Sequence, residues 1–204
     1  MKKLIAIAIC AVIGLVSTSA EAEEVSAKPA LSDQVGKAWV GTWGTAAQHF
    51  VPGTIDTFQN QTLRLIVHIS VAATKVRIRI SNTFGDQPLV IGGAHIARRA
   101  SEANIDAATD RVLTFGGSTS AKVAARSMVI SDPVDLNVTA LSDLAISLYF
   151  PEKTEATTAH VLAMQTSYIS DKPGDATGAA TLPSAKPIAS WPFLTGVDVA
   201  ALPG

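Results

Sequence analysis

The sequence predicts an all-β fold, a two-sheet β-sandwich of jelly-roll type, on three observations. Short β-prone runs follow one another from Ala38 onward, turn residues separate them, and helical periodicity is nearly absent. Strands are expected at residues 39–45, 62–71, 75–82, 89–98, 111–115, 127–131, 144–150 and 160–168. The breaks fall at Val51-Pro52-Gly53, Phe84-Gly85-Asp86-Gln87-Pro88, Gly116-Gly117-Ser118 and Asp132-Pro133, all chemically suited to turns. Gly92-Gly93 reads as a bulge or turn inside an otherwise apolar run.

Ahead of these strands, Met1-Lys2-Lys3 is a short basic region and Leu4 to Val16 is apolar apart from Gly14. That run is too short to span a bilayer comfortably, and the small residues of Ser17-Thr18-Ser19-Ala20-Glu21-Ala22 offer cleavage after Ala20 or Ala22. Residues 1–22 are therefore expected to be a secretory signal, which implies an exported protein, periplasmic or extracellular, with no membrane span once the signal is removed. The single cysteine, Cys10, lies inside that signal, so a mature chain has no disulfide to draw on. Residues 23–37 are polar and aperiodic and read as a flexible leader, 38–199 as one sandwich domain, and 200–204 as a tail. Sixteen basic against seventeen acidic side chains, a net charge of −1, argue against a general polyanion binder and hence against nucleic acid.

One pair of strands can be read in detail. Leu63, Leu65, Val67 and Ile69 alternate with Arg64 and His68, and Val76, Ile78 and Ile80 alternate with Lys75, Arg77 and Arg79. Joined as a hairpin through a two-residue turn at Ala72-Ala73, the strands place His68 opposite Arg77 and gather the cationic residues on the outer face. Arg64, His68, Arg77 and Arg79 are thus a candidate docking face for another domain or an acidic ligand, the plain alternative being a solvated sheet face.

Chemistry-bearing patterns are sparse. The four histidines, His49, His68, His95 and His160, lack the short spacings that preorganise metal ligands. Asp106, Asp110, Asp132 and Asp135 are loop acids that a calcium ion could use, although solvated turn aspartates are the commoner reading. No cofactor is expected. Trp39 and Trp43 would share a face of a regular strand and form a candidate sugar-binding platform, with core packing the competing fate.

Several blocks together resemble the amino-terminal region of secreted SGNH (GDSL-type) ester hydrolases. They are Trp39-Val40-Gly41-Thr42-Trp43-Gly44-Thr45, the stretch from Asn60 to His68, Val76 to Gly85, Leu113-Thr114-Phe115-Gly116-Gly117, Ser131 to Leu136, Gln165 to Ile169 and Phe193 to Val199. The resemblance implies a β-rich, jelly-roll-like accessory domain that precedes a flavodoxin-like hydrolase domain acting on ester bonds. It also implies a Gly-Asp-Ser nucleophile block and an Asp-x-x-His base block. Neither occurs in these 204 residues: Gly85-Asp86 is followed by Gln87, and the positions three before the histidines are Ala46, Leu65, Gly92 and Thr157. No Gly-x-Ser-x-Gly elbow occurs either. The expectation is an accessory domain, inactive alone, whose tail leads to a missing hydrolase domain supplied in cis or in trans. A natural short form and a truncation both remain open, and a free-standing carbohydrate-binding module is the alternative function.

Overall fold

The computed structural model describes residues 38–50 and 56–200. The signal, the leader, Cys10, the Val51-Pro52-Gly53 break and residues 201–204 lie outside the described residues. The strands are β1 (Trp39–Gly44), β2 (Gln48–His49), β3 (Thr57–Phe58), β4 (Gln61–Ile69), β5 (Ala73–Ser81), β6 (Leu89–Ile91) and β7 (Gly93–Ser101). There follow β8 (Asn104–Ile105), β9 (Arg111–Val112), β10 (Ala121–Val123), β11 (Met128–Ile130), β12 (Val134–Val138) and β13 (Ser142–Phe150). The last are β14 (Thr154–Glu155), β15 (Thr158–Val161), β16 (Ser167–Ser170), β17 (Ala185–Ile188), β18 (Ser190–Pro192) and β19 (Leu194–Ala200).

Two antiparallel sheets form the sandwich. The smaller runs β1-β19-β5-β11, with β12 also paired to β5, and the larger runs β17-β16-β4-β13-β7-β8, with β9 on β7. Their inner faces share one core: Leu63, Leu65 and Val67 of β4 and Leu144, Ile146 and Leu148 of β13 meet Val76, Ile78 and Ile80 of β5 and Val197 and Val199 of β19. All of these are fully buried, so the expected alternation of β4 and β5 is met on the core side. Phe58, Phe150 and Phe193 stack in series at one end, with centroids 5.4 and 5.5 Å apart.

The larger sheet is also covered on its outer face. Ile66, Ala97, Ile105 and Ala145 form a second small cluster there, against Tyr168. β4 and β13 are consequently buried along most of their length on both faces.

The expected run 89–98 is divided at Gly92, where a Cβ would lie 2.7 Å from the Tyr149 ring. The run 160–168 is likewise divided, into β15 and β16, by a segment in which Leu162 and Met164 have φ of 55° and 53°. The Gly116-Gly117 turn is confirmed with φ of 60° and 83°, a region open to glycine without steric cost.

Candidate functional site

The predicted hairpin is corrected by the sheet order. β4 pairs with β13 and β16, whereas β5 pairs with β19, β11 and β12, so the chain crosses between sheets after Ile69. Thr42 fixes that crossing: its Oγ1 accepts from Ser70 N at 3.1 Å and from Val71 N at 2.8 Å. His68 therefore lies opposite Asp143, not Arg77, and the four residues of the candidate docking face belong to two different sheets.

Arg64 is the larger departure. It is 0 % exposed, the bulkiest fully buried side chain. Its Nε donates to Ser147 Oγ at 3.0 Å and its Nη1 to Ala103 O at 2.7 Å, while Nη2 reaches the carbonyls of Ala179, Thr177 and Ala176 at 2.8, 3.2 and 3.4 Å. Burial pulls its pKa down to about 10, against the charge of Asp110, which pushes it back up. The guanidinium thus fastens the loop after β16 onto the larger sheet and is unavailable to a partner. His68 Nδ1 lies 2.8 Å from Asp143 Oδ1, and Arg99 Nη1 donates to Asp143 Oδ2 at 2.8 Å.

What remains of the cationic face sits on the smaller sheet. Register places Gly41, Asp198 and Arg77 in one row, and Gly44, Gly196, Arg79 and Ile130 in the next. Antiparallel partners share a face, so both rows point outward while Val197, Val199 and Ile78 point inward. Asp198 serves both arginines: Arg77 Nε donates to Oδ2 at 3.2 Å, and Arg79 Nη2 lies 3.2 Å from Oδ1. The carboxylate side chain is 10 % exposed, Arg77 24 % and Arg79 34 %. The Arg77 guanidinium carbon stands 4.2 Å from the Trp39 ring centroid. Arg79 lies flat across bare backbone, since a Cβ on Gly196 would meet its Nε at 2.4 Å. That Nε is buried with no hydrogen-bond acceptor.

The tryptophan platform is also corrected. β1 pairs Gly41 with Asp198 but Trp43 with Val197, so one extra residue, Thr42, is inserted. The bulge reverses the parity of the strand. Trp39 faces out beneath Arg77, whereas Trp43 packs on the core and meets Trp191 edge to face, centroids 5.0 Å apart and planes at 71°. Trp191 Nε1 donates to Ile66 O at 2.8 Å.

The four candidate calcium aspartates are dispersed. Asp106 pairs with Arg98, Asp110 with His95 and Asp135 with Lys75. Asp132 accepts from Thr114 Oγ1, Gly117 N and Gly116 N at 2.6, 2.7 and 3.1 Å. Among the described residues no group of three or more acids or histidines converges. His95 and His68 each bond an aspartate, and His160 Nδ1 lies 3.0 Å from Ala46 O. Among the described residues no serine hydroxyl is hydrogen-bonded to an imidazole.

A cleft of about 310 Å³ opens at one end of the sandwich, lined by Asn82, Asp86, Gln87, Lys153, Glu155 and Phe193. Its frame is Asn82, whose Nδ2 donates to Gln87 O, Ala124 O and Val123 O at 2.9, 3.1 and 3.3 Å.

The residue that sequence reasoning missed is Asp198. Its signal was present: a lone acid between Val197 and Val199, on the polar parity of an apolar strand. No protein-family model matches the sequence, and no curated protein matches it either.

Proposed function

We propose that this chain is the accessory, non-catalytic β-sandwich, of jelly-roll type, of an exported SGNH (GDSL-type) ester hydrolase, and that it works by holding a catalytic domain rather than by chemistry of its own. The observation that carries this reading is the pairing of the first described strand with the last. Trp39 lies opposite Ala200, so both ends of the sandwich leave at one place. A domain closed in this way can be attached to another folded unit without disturbing its core.

The blocks that carry the family resemblance also occupy framework positions: β1, β4, β5, the Asp132 cradle between β9 and β12, β16 and β19. Each supplies packing or turn closure. The two His–Asp pairs lack the third member of a triad: among the described residues no serine hydroxyl is hydrogen-bonded to either imidazole, and a serine nucleophile needs that contact with its base.

The test uses the catalytic domain of a secreted SGNH hydrolase whose own amino-terminal region carries these blocks, expressed without that region. Adding the present chain is expected to give a measurable complex by titration calorimetry and a raised thermal midpoint for the catalytic domain. Absence of any complex at about 50 μM, for several such domains, overturns the proposal.

A further inference from the structure

We infer that the outer face of the smaller sheet, built from Trp39, Arg77, Arg79 and Asp198 over a glycine floor, is a docking surface for an acidic, extended segment of a partner protein. That the partner is a hydrolase domain rests on the accessory reading above; the chemistry of the face does not.

Two guanidinium groups share a single carboxylate, Asp198, and among the described residues neither makes any other hydrogen bond through its side chain. Arg77 uses only Nε, so both of its terminal nitrogens still carry hydrogens to offer. Arg79 keeps Nη1, and its buried Nε faces no acceptor at all. A guanidinium in this state gains more from a second carboxylate than from water, because the planar fork donates two parallel bonds. Trp39 and the sheet hold both groups in place, which lowers the entropy lost on binding.

Gly41 and Gly44 are exposed, and a Cβ built on either would meet nothing closer than 3.7 Å. They leave bare backbone open at two outward positions of β1, Gly196 across from Gly44 being buried beneath Arg79, and a glycine in a strand often marks a place where another backbone comes close. Beyond Arg79 the same face presents Ile130 and Met128, 41 % and 54 % exposed.

The spacing of the two arginines selects an extended segment over a free anion. Arg77 and Arg79 stand two residues apart on one strand, roughly 6.6 Å. Carboxylates two residues apart on an extended peptide repeat at the same interval. A segment that alternates acidic with small or apolar residues can therefore pair both arginines while its backbone lies beside Gly41 and Gly44.

The experiment is an NMR titration of the full chain with an acetylated Glu-Val alternating octapeptide at low salt, read at the Nε–H resonances of Arg77 and Arg79. Both resonances are expected to move together, with affinity falling several-fold between about 50 and 300 mM salt. Arg77→Gln with Arg79→Gln should abolish the shift elsewhere on the face. Because that variant also strips Asp198 of its partners, Gly41→Val supplies a charge-neutral block: it leaves both arginines and the fold in place and should weaken binding about tenfold. The inference is overturned if the peptide moves neither resonance at about 5 mM, or if the double variant binds as well as the parent. It is also overturned if oligogalacturonate saturates the face at lower concentration than the peptide, or if the resonances respond to protein concentration alone, which would indicate a second copy. Failure here with a catalytic domain still bound removes this surface and leaves the accessory reading standing. Peptide binding without any catalytic-domain complex does the reverse.

Discussion

Arg64 Nε donates to Ser147 Oγ at 3.0 Å across neighbouring strands, so a side chain that alternation directs away from the main core is nonetheless buried among carbonyls. Its partners at Ala176, Thr177 and Ala179 make it the fastener of the loop over the larger sheet.

Removing that fastener leaves several buried carbonyls without donors. Arg64→Ala is expected to cost about 3–5 kcal/mol by urea denaturation. Arg64→Lys should recover less than half, because an ammonium cannot reach five planar acceptor directions. In both variants the amides of Ala176 and Ala179 should lose hydrogen-exchange protection before those of Leu65 and Ile146.

The two tryptophans of β1 should behave differently, because the Thr42 bulge places them on opposite faces. Trp43→Ala opens the core beside Trp191 and is expected to cost about 2–4 kcal/mol. Trp39→Ala removes only the stack under Arg77, about 1 kcal/mol or less. A panel of cell-wall and plant polysaccharides should leave tryptophan fluorescence unchanged, and a saturable change lost in both variants would restore the sugar platform.

Asp198 is the shared anionic partner of two arginines, so Asp198→Ala should destabilise by about 1–2 kcal/mol, a figure reduced because both guanidinium groups are partly solvated. Gly196→Ala pushes a methyl into Arg79, whose guanidinium can swing away. Its expected stability cost is under about 1 kcal/mol, yet the Arg79 Nε–H resonance should shift. Equal spectra for parent and Gly196→Ala would contradict the stacking of Arg79 on that glycine.

Acid should weaken the fold through two carboxylates. Burial pushes the Asp143 carboxyl up, but hydrogen bonds with His68 and Arg99, and their charges, hold it below the usual range. The Thr114 hydroxyl and the Gly117 N–H, joined by the Gly116 N–H and opposed by slight burial, hold Asp132 low as well. In each case the unfolded chain takes up the proton first. The stabilisation is therefore present above about pH 4 and is lost as pH falls through the lower folded values. Asp132→Asn combined with Asp143→Asn should flatten the dependence of stability on pH below about 4, and an unchanged slope would contradict these assignments.

The alternation of β4 and β5 was legible because each strand carries one fully buried face, and period two survives any arrangement of neighbours. Which sheet each strand joins was not, since alternation is the same for a hairpin and for a crossing between layers. The fate of Arg64 depended on the loop after β16, which carries turn residues and no periodicity, so nothing local announced that it covers a sheet. The separation of Trp39 from Trp43 depended on a one-residue bulge at Thr42, and a bulge leaves no mark on composition. Asp198 alone was written plainly in the pattern, and it organises the outer face of the smaller sheet by pairing Arg77 with Arg79.

The claim that this chain acts by holding and not by catalysis is tested most directly by its rate on short-chain aryl esters, measured on the purified chain alone. The account predicts no hydrolysis above background for the parent, and the same null rate for Ser147→Ala and for His95→Ala, which remove the serine and histidine paired across β13 and β7. Hydrolysis above background that disappears on mutating any one serine of this chain would contradict it.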